Sequence, residues 1–206
     1  MRLFDSVSLQ SFNRLLNDRG YRMEPQIPNT EFLAGTQVVY GMHGKCQVTE
    51  IQSRQVGSEM VRFYKLELLK SVLSRSSRKD PAIWLPIDSA KSRGLRMPMS
   101  NGDGLQAMAF LSSREYFFSL QEPWPSVYLK LEHTIRSEGG IGLAKVASYL
   151  YVLKRKQLVP SGELLHFQEC VNKLLMRELS EALSENSRVL EDRISKLLRQ
   201  KLLADN

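Results

Sequence analysis

Long apolar runs, cysteine and histidine are what this 206-residue sequence has least of. No stretch approaches the about 20 consecutive apolar residues that a membrane-spanning helix needs. The first residues, MRLFDSVSLQSFNRLL, are interrupted by Asp5, Ser6, Ser8 and Gln10, so they lack a signal peptide's apolar centre. The two cysteines, Cys46 and Cys170, stand far apart and suggest no disulfide framework. Two reduced thiols in a cytoplasmic protein are the expectation.

With three histidines, the chain has few general bases suited to neutral pH. His43 lies in a glycine-bounded turn three residues before Cys46, which invites a metal or Cys–His nucleophile reading. A zinc site needs about four ligands, and no second Cys/His pair occurs at a suitable spacing. Cys46 opens an alternating strand whose neighbours look structural, and only geometry decides whether it is a nucleophile. His133 and His166 fall on helices among polar residues and read as surface side chains. Asn101-Gly102-Asp103-Gly104 resembles a fragment of a calcium loop, lacks the acidic residues of the twelve-residue pattern, and reads as a turn. No phosphate-cradling glycine pattern, nucleophile elbow or zinc-protease helix is present. The expectation is a non-enzyme without metal or cofactor.

What is present is an ordinary globular composition, 42% hydrophobic and 25% charged, with a net charge of +7. Such a surplus leans towards polyanionic partners. Residues 31–120 carry twelve basic and eight acidic side chains, whereas residues 121–206 carry thirteen and eleven. The excess therefore sits in the middle, where Lys70, Arg75, Arg78, Lys79, Lys91, Arg93 and Arg96 face only Asp80 and Asp88. A solvated basic loop explains this as well as an anionic partner does.

Residues 1–30 read as a helical appendage, apolar at Phe4, Val7, Phe12 and Leu16, followed by a linker marked by Pro25 and Pro28. It would dock on the body or on a partner. From Phe32 the period becomes two. Thr36–Tyr40, Cys46–Ile51, Met60–Leu69 and Ile83–Ile87 read as short strands, with turns at Gly41–Gly44 and Gly57-Ser58. Strands spaced so closely indicate a small bent sheet or open barrel. Past residue 100 the period becomes helical, with apolar faces at Val127, Leu131 and Ile135, at Leu143 to Leu153, at Leu164 to Leu179, and at Leu190 to Leu198. Pro123-Trp124-Pro125 and Gly139-Gly140 interrupt this pattern, and Ser161 reads as a helix N-cap. The expected class is α+β in two domains: a β domain over 31–100 and an all-α helical bundle over 101–206.

The stretch Phe32-Leu33-Ala34-Gly35-Thr36-Gln37-Val38-Val39-Tyr40-Gly41-Met42-His43-Gly44 resembles the opening of the CarD/CdnL family, whose usual sequence is F-x-x-G-D-x-V-V-Y-P-x-H-G. Gly41 replaces the proline, and the residues directly after Gly35 depart from the common pattern. Leu85-Pro86-Ile87-Asp88-Ser89-Ala90 and Gly94-Leu95-Arg96 resemble the family's V-P-x-x-x-A and G-[LV]-R segments. Trp124 with Tyr128, and Ser161-Gly162-Glu163 opening a helix, carry the resemblance to about residue 185.

The resemblance implies a bacterial transcription regulator. Its Tudor-like N-terminal domain would dock on the RNA polymerase β subunit, and its helical domain would set a tryptophan against promoter DNA to stabilise the open complex. Arg54 falls where the family has a β-subunit-contacting arginine, and Trp84 stands in place of a second one. Trp124 matches the DNA wedge, with Tyr128 beside it. Ser126, Val127 and Leu129 replace the basic residues that usually follow, and Leu164 takes a position often held by lysine. Lys130 and the run Lys154-Arg155-Lys156 are the cations left to neutralise phosphate. These departures keep open an alternative, a protein–protein adaptor with little or no DNA binding.

Overall fold

The structure is a computed structural model, and it describes residues 32–69, 81–113, 115, 118, 122, 124–156 and 161–203. The expected N-terminal appendage and the basic loop of residues 71–80 lie outside the described residues. An antiparallel five-stranded sheet occupies the N-terminal half of the chain, and helices occupy the C-terminal half.

The strands are β1 (Gln37–Tyr40), β2 (Gly44–Val56), β3 (Glu59–Leu68), β4 (Ile83–Pro86) and β5 (Leu95–Arg96). Their order across the sheet is β4-β3-β2-β1-β5. A one-turn helix, α1 (Ile87–Ala90), follows β4. Period-two alternation buries one face: Val38, Cys46, Val48, Tyr64, Leu66 and Leu85 form a core with Ile87, Ala90 and Leu95. A bulge between Val48 and Glu50 resets the β2–β3 register. Beyond it β2 and β3 run on as a two-stranded arm, in which residues 51–60 are all exposed. β1 pairs with β2 only over Gln37–Tyr40, and β4 pairs with β3 only over Phe63–Leu66. Among the described residues, the tip of the arm, residues 53–62, is therefore without a strand partner on either edge.

The helices are α2 (Asn101–Ser112), α3 (Trp124–Arg155), α4 (Ser161–Leu183) and α5 (Ser187–Leu203). Reading Asn101–Gly104 as a turn is overturned, because these residues are the first turn of α2. The Ser100 hydroxyl accepts a hydrogen bond from the Asp103 amide at 3.2 Å, and the Asp103 carboxylate accepts from the Ser100 amide at 3.0 Å. This reciprocal capping box satisfies two otherwise orphaned donors. It outweighs the helix-weakening effect of Gly102 and Gly104. Gly104 packs closely where it stands: a Cβ there would lie 3.0 Å from the Leu183 side chain, which would have to give way by a few tenths of an ångström.

In α3 the chain breaks sharply at Gly139, where φ is 62° and ψ is −125°. A side chain at this position would be strained by the backbone angle and would meet the Arg96 side chain at 2.8 Å. Leu131, Ile135, Leu143, Ala147 and Leu150, on both sides of the break, enter one helical core with Leu164, Val171, Leu175, Leu179 and Leu190.

The described residues from Phe32 onward form one compact unit. The sheet and the helices meet through polar and apolar contacts together. Arg96 at the end of β5 donates two hydrogen bonds to Glu178 in α4, at 2.8 and 2.6 Å, with both side chains largely out of water. Lys45 in β2 pairs with Glu181 at 2.7 Å, and Arg177 donates to the Leu69 carbonyl at 3.1 Å. Met42 packs against the helical core.

Candidate functional site

The outer face of the sheet carries the first group of residues singled out in the sequence. Because side chains alternate, Glu50, Gln52 and Arg54 in β2 share this face with Val61, Phe63 and Lys65 in β3, and with Trp84 and Pro86 in β4. Arg54 lies opposite Val61, and Trp84 opposite Lys65, so Arg54 reaches Trp84 diagonally across β3. Its guanidinium carbon stands 3.4 Å from the centre of the indole ring. A flat guanidinium on an indole face gains both dispersion and cation–π attraction. Gln52 fixes the edge of the guanidinium, accepting from Nε at 3.1 Å. The Lys65 ammonium lies 5.7 Å from the same ring and 3.6 Å from Glu50.

Sequence reading singled out Arg54 and Trp84 but not Val61, Phe63 or Lys65. Their positions on the solvent side of an alternating strand were a usable signal for them. The face is an apolar centre of Val61, Phe63, Trp84 and Pro86, bordered by Arg54, Lys65 and Glu50. That is the composition of a protein contact, with an aromatic–arginine anchor and a charged rim.

The second group is placed differently. Trp124 opens α3 and is half-buried. Its ring meets Tyr128 at 5.9 Å and Phe167 at 6.4 Å, both edge-on, while Tyr128 and Phe167 stand 4.9 Å apart. The Tyr128 hydroxyl donates to Glu132 at 3.0 Å. Burial, then this carboxylate, holds the Tyr128 phenol above its ordinary pKa. These rings border a groove of about 760 Å³, which also includes Met42, Leu129, Glu132, His166 and Cys170. Leu129 is exposed at its rim, and Val127 and Leu164 are buried in the helical core. The apolar substitutions at 127 and 164 are thus packing residues.

The expected phosphate-contacting cations do not gather round Trp124. Lys130 is tied to Glu122 at 2.6 Å and borders a separate groove with Leu129 and His133. Lys154, Arg155 and Lys156 are exposed at the far end of α3, where Lys154 and Arg155 line a third groove. The carboxylate beside the Trp124 cluster is Glu132, which also pairs with Arg136 at 3.3 Å.

Cys46 and His43 do not behave as a catalytic pair. The Cys46 side chain is buried, and its thiol donates to the Gly44 carbonyl at 3.4 Å. Burial pushes the thiol pKa up to about 11, so it is protonated at neutral pH and is a poor nucleophile. His43 is exposed and stacks on Tyr40 at 5.1 Å. Among the described residues no group of three or more His, Cys, Asp or Glu is placed to hold a metal, and no helix is long and apolar enough to cross a membrane. No family model matches the chain, and a search of curated proteins found no match.

Proposed function

We propose that the protein is a transcription regulator of the CarD/CdnL kind, working in the cytoplasm, whose Tudor-like β domain docks on the RNA polymerase β subunit. The observation that carries this reading is the Arg54–Trp84 stack. The resemblance gives both residues to one contact, although they lie 30 positions apart in sequence, and the fold puts one on the other on an outward face. The open edges of the β2–β3 arm beside it suit a partner that adds a strand.

The test is direct binding of the full chain to purified β subunit. Arg54→Glu reverses the charge at the anchor, and Trp84→Ala removes its platform. Each is expected to weaken binding by about 1–3 kcal/mol, roughly ten- to a hundredfold. Binding by both folded variants at unchanged affinity overturns the docking face.

The surroundings of Trp124 favour a second reading, an adaptor with little or no DNA contact. Its aromatic cluster lies beside Glu132, and the nearest expected cation, Lys130, is neutralised by Glu122. Salt separates the two. Promoter binding through phosphates weakens steeply as salt rises, whereas an adaptor has little DNA affinity to lose.

A further inference from the structure

Between the second half of α3, α4 and α5 runs an open groove of about 460 Å³. That lies inside the roughly 300–1,000 Å³ range of small-molecule sites. Met176, Ile194 and Leu198 give it an apolar floor. Tyr151 and Gln168 lie beside them, with Asn172 and Ser195 elsewhere in the lining. Gln168 is 6% exposed. The Tyr151 hydroxyl is shielded from water and has no hydrogen-bond partner among the described residues. A buried hydroxyl left unpaired is unfavourable, so its place in the lining of a groove favours a ligand that reaches and satisfies it.

The charges on the walls narrow the choice of ligand. Lys154 and Arg155 stand on the α3 side, with the Arg155 guanidinium 5.6 Å from the Tyr151 ring. Glu169 on α4 and Glu191 on α5 stand on the other walls. All four are exposed, and none has an ion-pair partner among the described residues. A polyphosphate would meet the two carboxylates, and a simple cation would meet the two bases. A molecule with both charges satisfies both walls.

We propose that this groove binds a small zwitterion with an apolar body, of the dipeptide class. Its carboxylate pairs with Lys154 and Arg155, and its ammonium with Glu169 and Glu191. Its peptide group takes the Tyr151 hydroxyl and the Gln168 amide, and its side chains cover Met176, Ile194 and Leu198. This site stands apart from the sheet face and from the Trp124 groove, and does not depend on either.

The probe is leucyl-leucine, titrated calorimetrically into the full chain beside its N-acetyl form, which lacks the ammonium, and its C-terminal amide, which lacks the carboxylate. The dipeptide is expected to bind saturably, and each cap to weaken it about three- to tenfold, as for partly exposed ion pairs. Lys154→Ala with Arg155→Ala, both on exposed positions, should abolish the difference between dipeptide and amide. Tyr151→Phe removes an unpaired hydroxyl, so the free protein should keep or raise its Tm while its affinity for dipeptide falls. No saturable binding by the folded chain overturns the proposal. So does equal binding of the three probes, or an affinity that Tyr151→Phe leaves unchanged.

Discussion

The Arg54 guanidinium, 3.4 Å from the centre of the Trp84 ring, joins two strands that do not pair with each other. Each residue was legible by position in a resemblance, but their stacking depends on the β2–β3–β4 register. That register follows from the bulge after Val48 and the buried set Val48, Leu66 and Leu85. Trp124 is the reverse case. Its flanking prolines suggest an exposed corner, yet Phe167, forty-three positions on, covers it from α4. For a working DNA wedge, Trp124→Ala shortens open-complex lifetime without affecting polymerase docking, by up to about 1–3 kcal/mol for a lost base stack. With Lys130 already paired, we expect the lower end of that range or no change, and wild-type lifetimes in the folded variant select the adaptor reading. Cys46 gives a pH prediction. Its pKa is about 9.0 in an ordinary thiol and about 11 in the fold, because burial disfavours the thiolate. Its contribution is complete below about pH 9, and is lost as pH rises towards 11, where the unfolded chain releases a proton that the folded one retains. Thermal melts across this window should fall more steeply for the native protein than for Cys46→Ala.

Among elements, the strands were the most legible, because alternation states both their existence and their buried side. Three of them agree with the alternation to within one residue at each end, β2 runs five residues beyond its expected end at Ile51, and the two-residue β5 is legible only as part of the Gly94-Leu95-Arg96 motif. The start of α2 was hidden. Two glycines within four residues have the local chemistry of a turn, and the Ser100–Asp103 exchange overrules them. Ser100→Ala should cost about 1 kcal/mol, read as a lowered denaturation midpoint at constant slope. The β2–β3 arm has a different consequence. Ile51, Val56 and Met60 are exposed on it, and open edges with apolar side chains invite pairing. Val56→Lys should suppress concentration-dependent self-association in light scattering, leaving the unfolding free energy within about 0.5 kcal/mol of the original.

At the scale of the whole molecule, the change of period near residue 100 marks where strands give way to helices, but it does not indicate how tightly the two parts are joined. The joint is concentrated at Arg96, whose side chain is held by Glu178 and lies against Gly139. Removing one member of such a pair leaves a shielded charge without its partner, at a cost of about 3–5 kcal/mol. Arg96→Met should therefore lower stability by several kcal/mol, and the loss should appear in helical circular dichroism and, with Trp124→Phe so that Trp84 alone emits, in tryptophan fluorescence. A variant in which only one of the two signals shifts would show that sheet and helices unfold separately.

The break at Gly139 has a further consequence, for the phase of α3. In an unbroken helix each inserted residue rotates everything beyond it by about 100°. Here the break separates two angular registers. Trp124, Tyr128 and Leu131 are phased by the first half, and Leu143, Leu150 and Lys154 by the second. Gly139 can absorb a change of phase between them that a continuous helix would have to transmit. The aromatic groove at one end of α3 and the charged groove at the other are therefore aimed by two separately phased halves, each fixed by its own residues in the shared helical core.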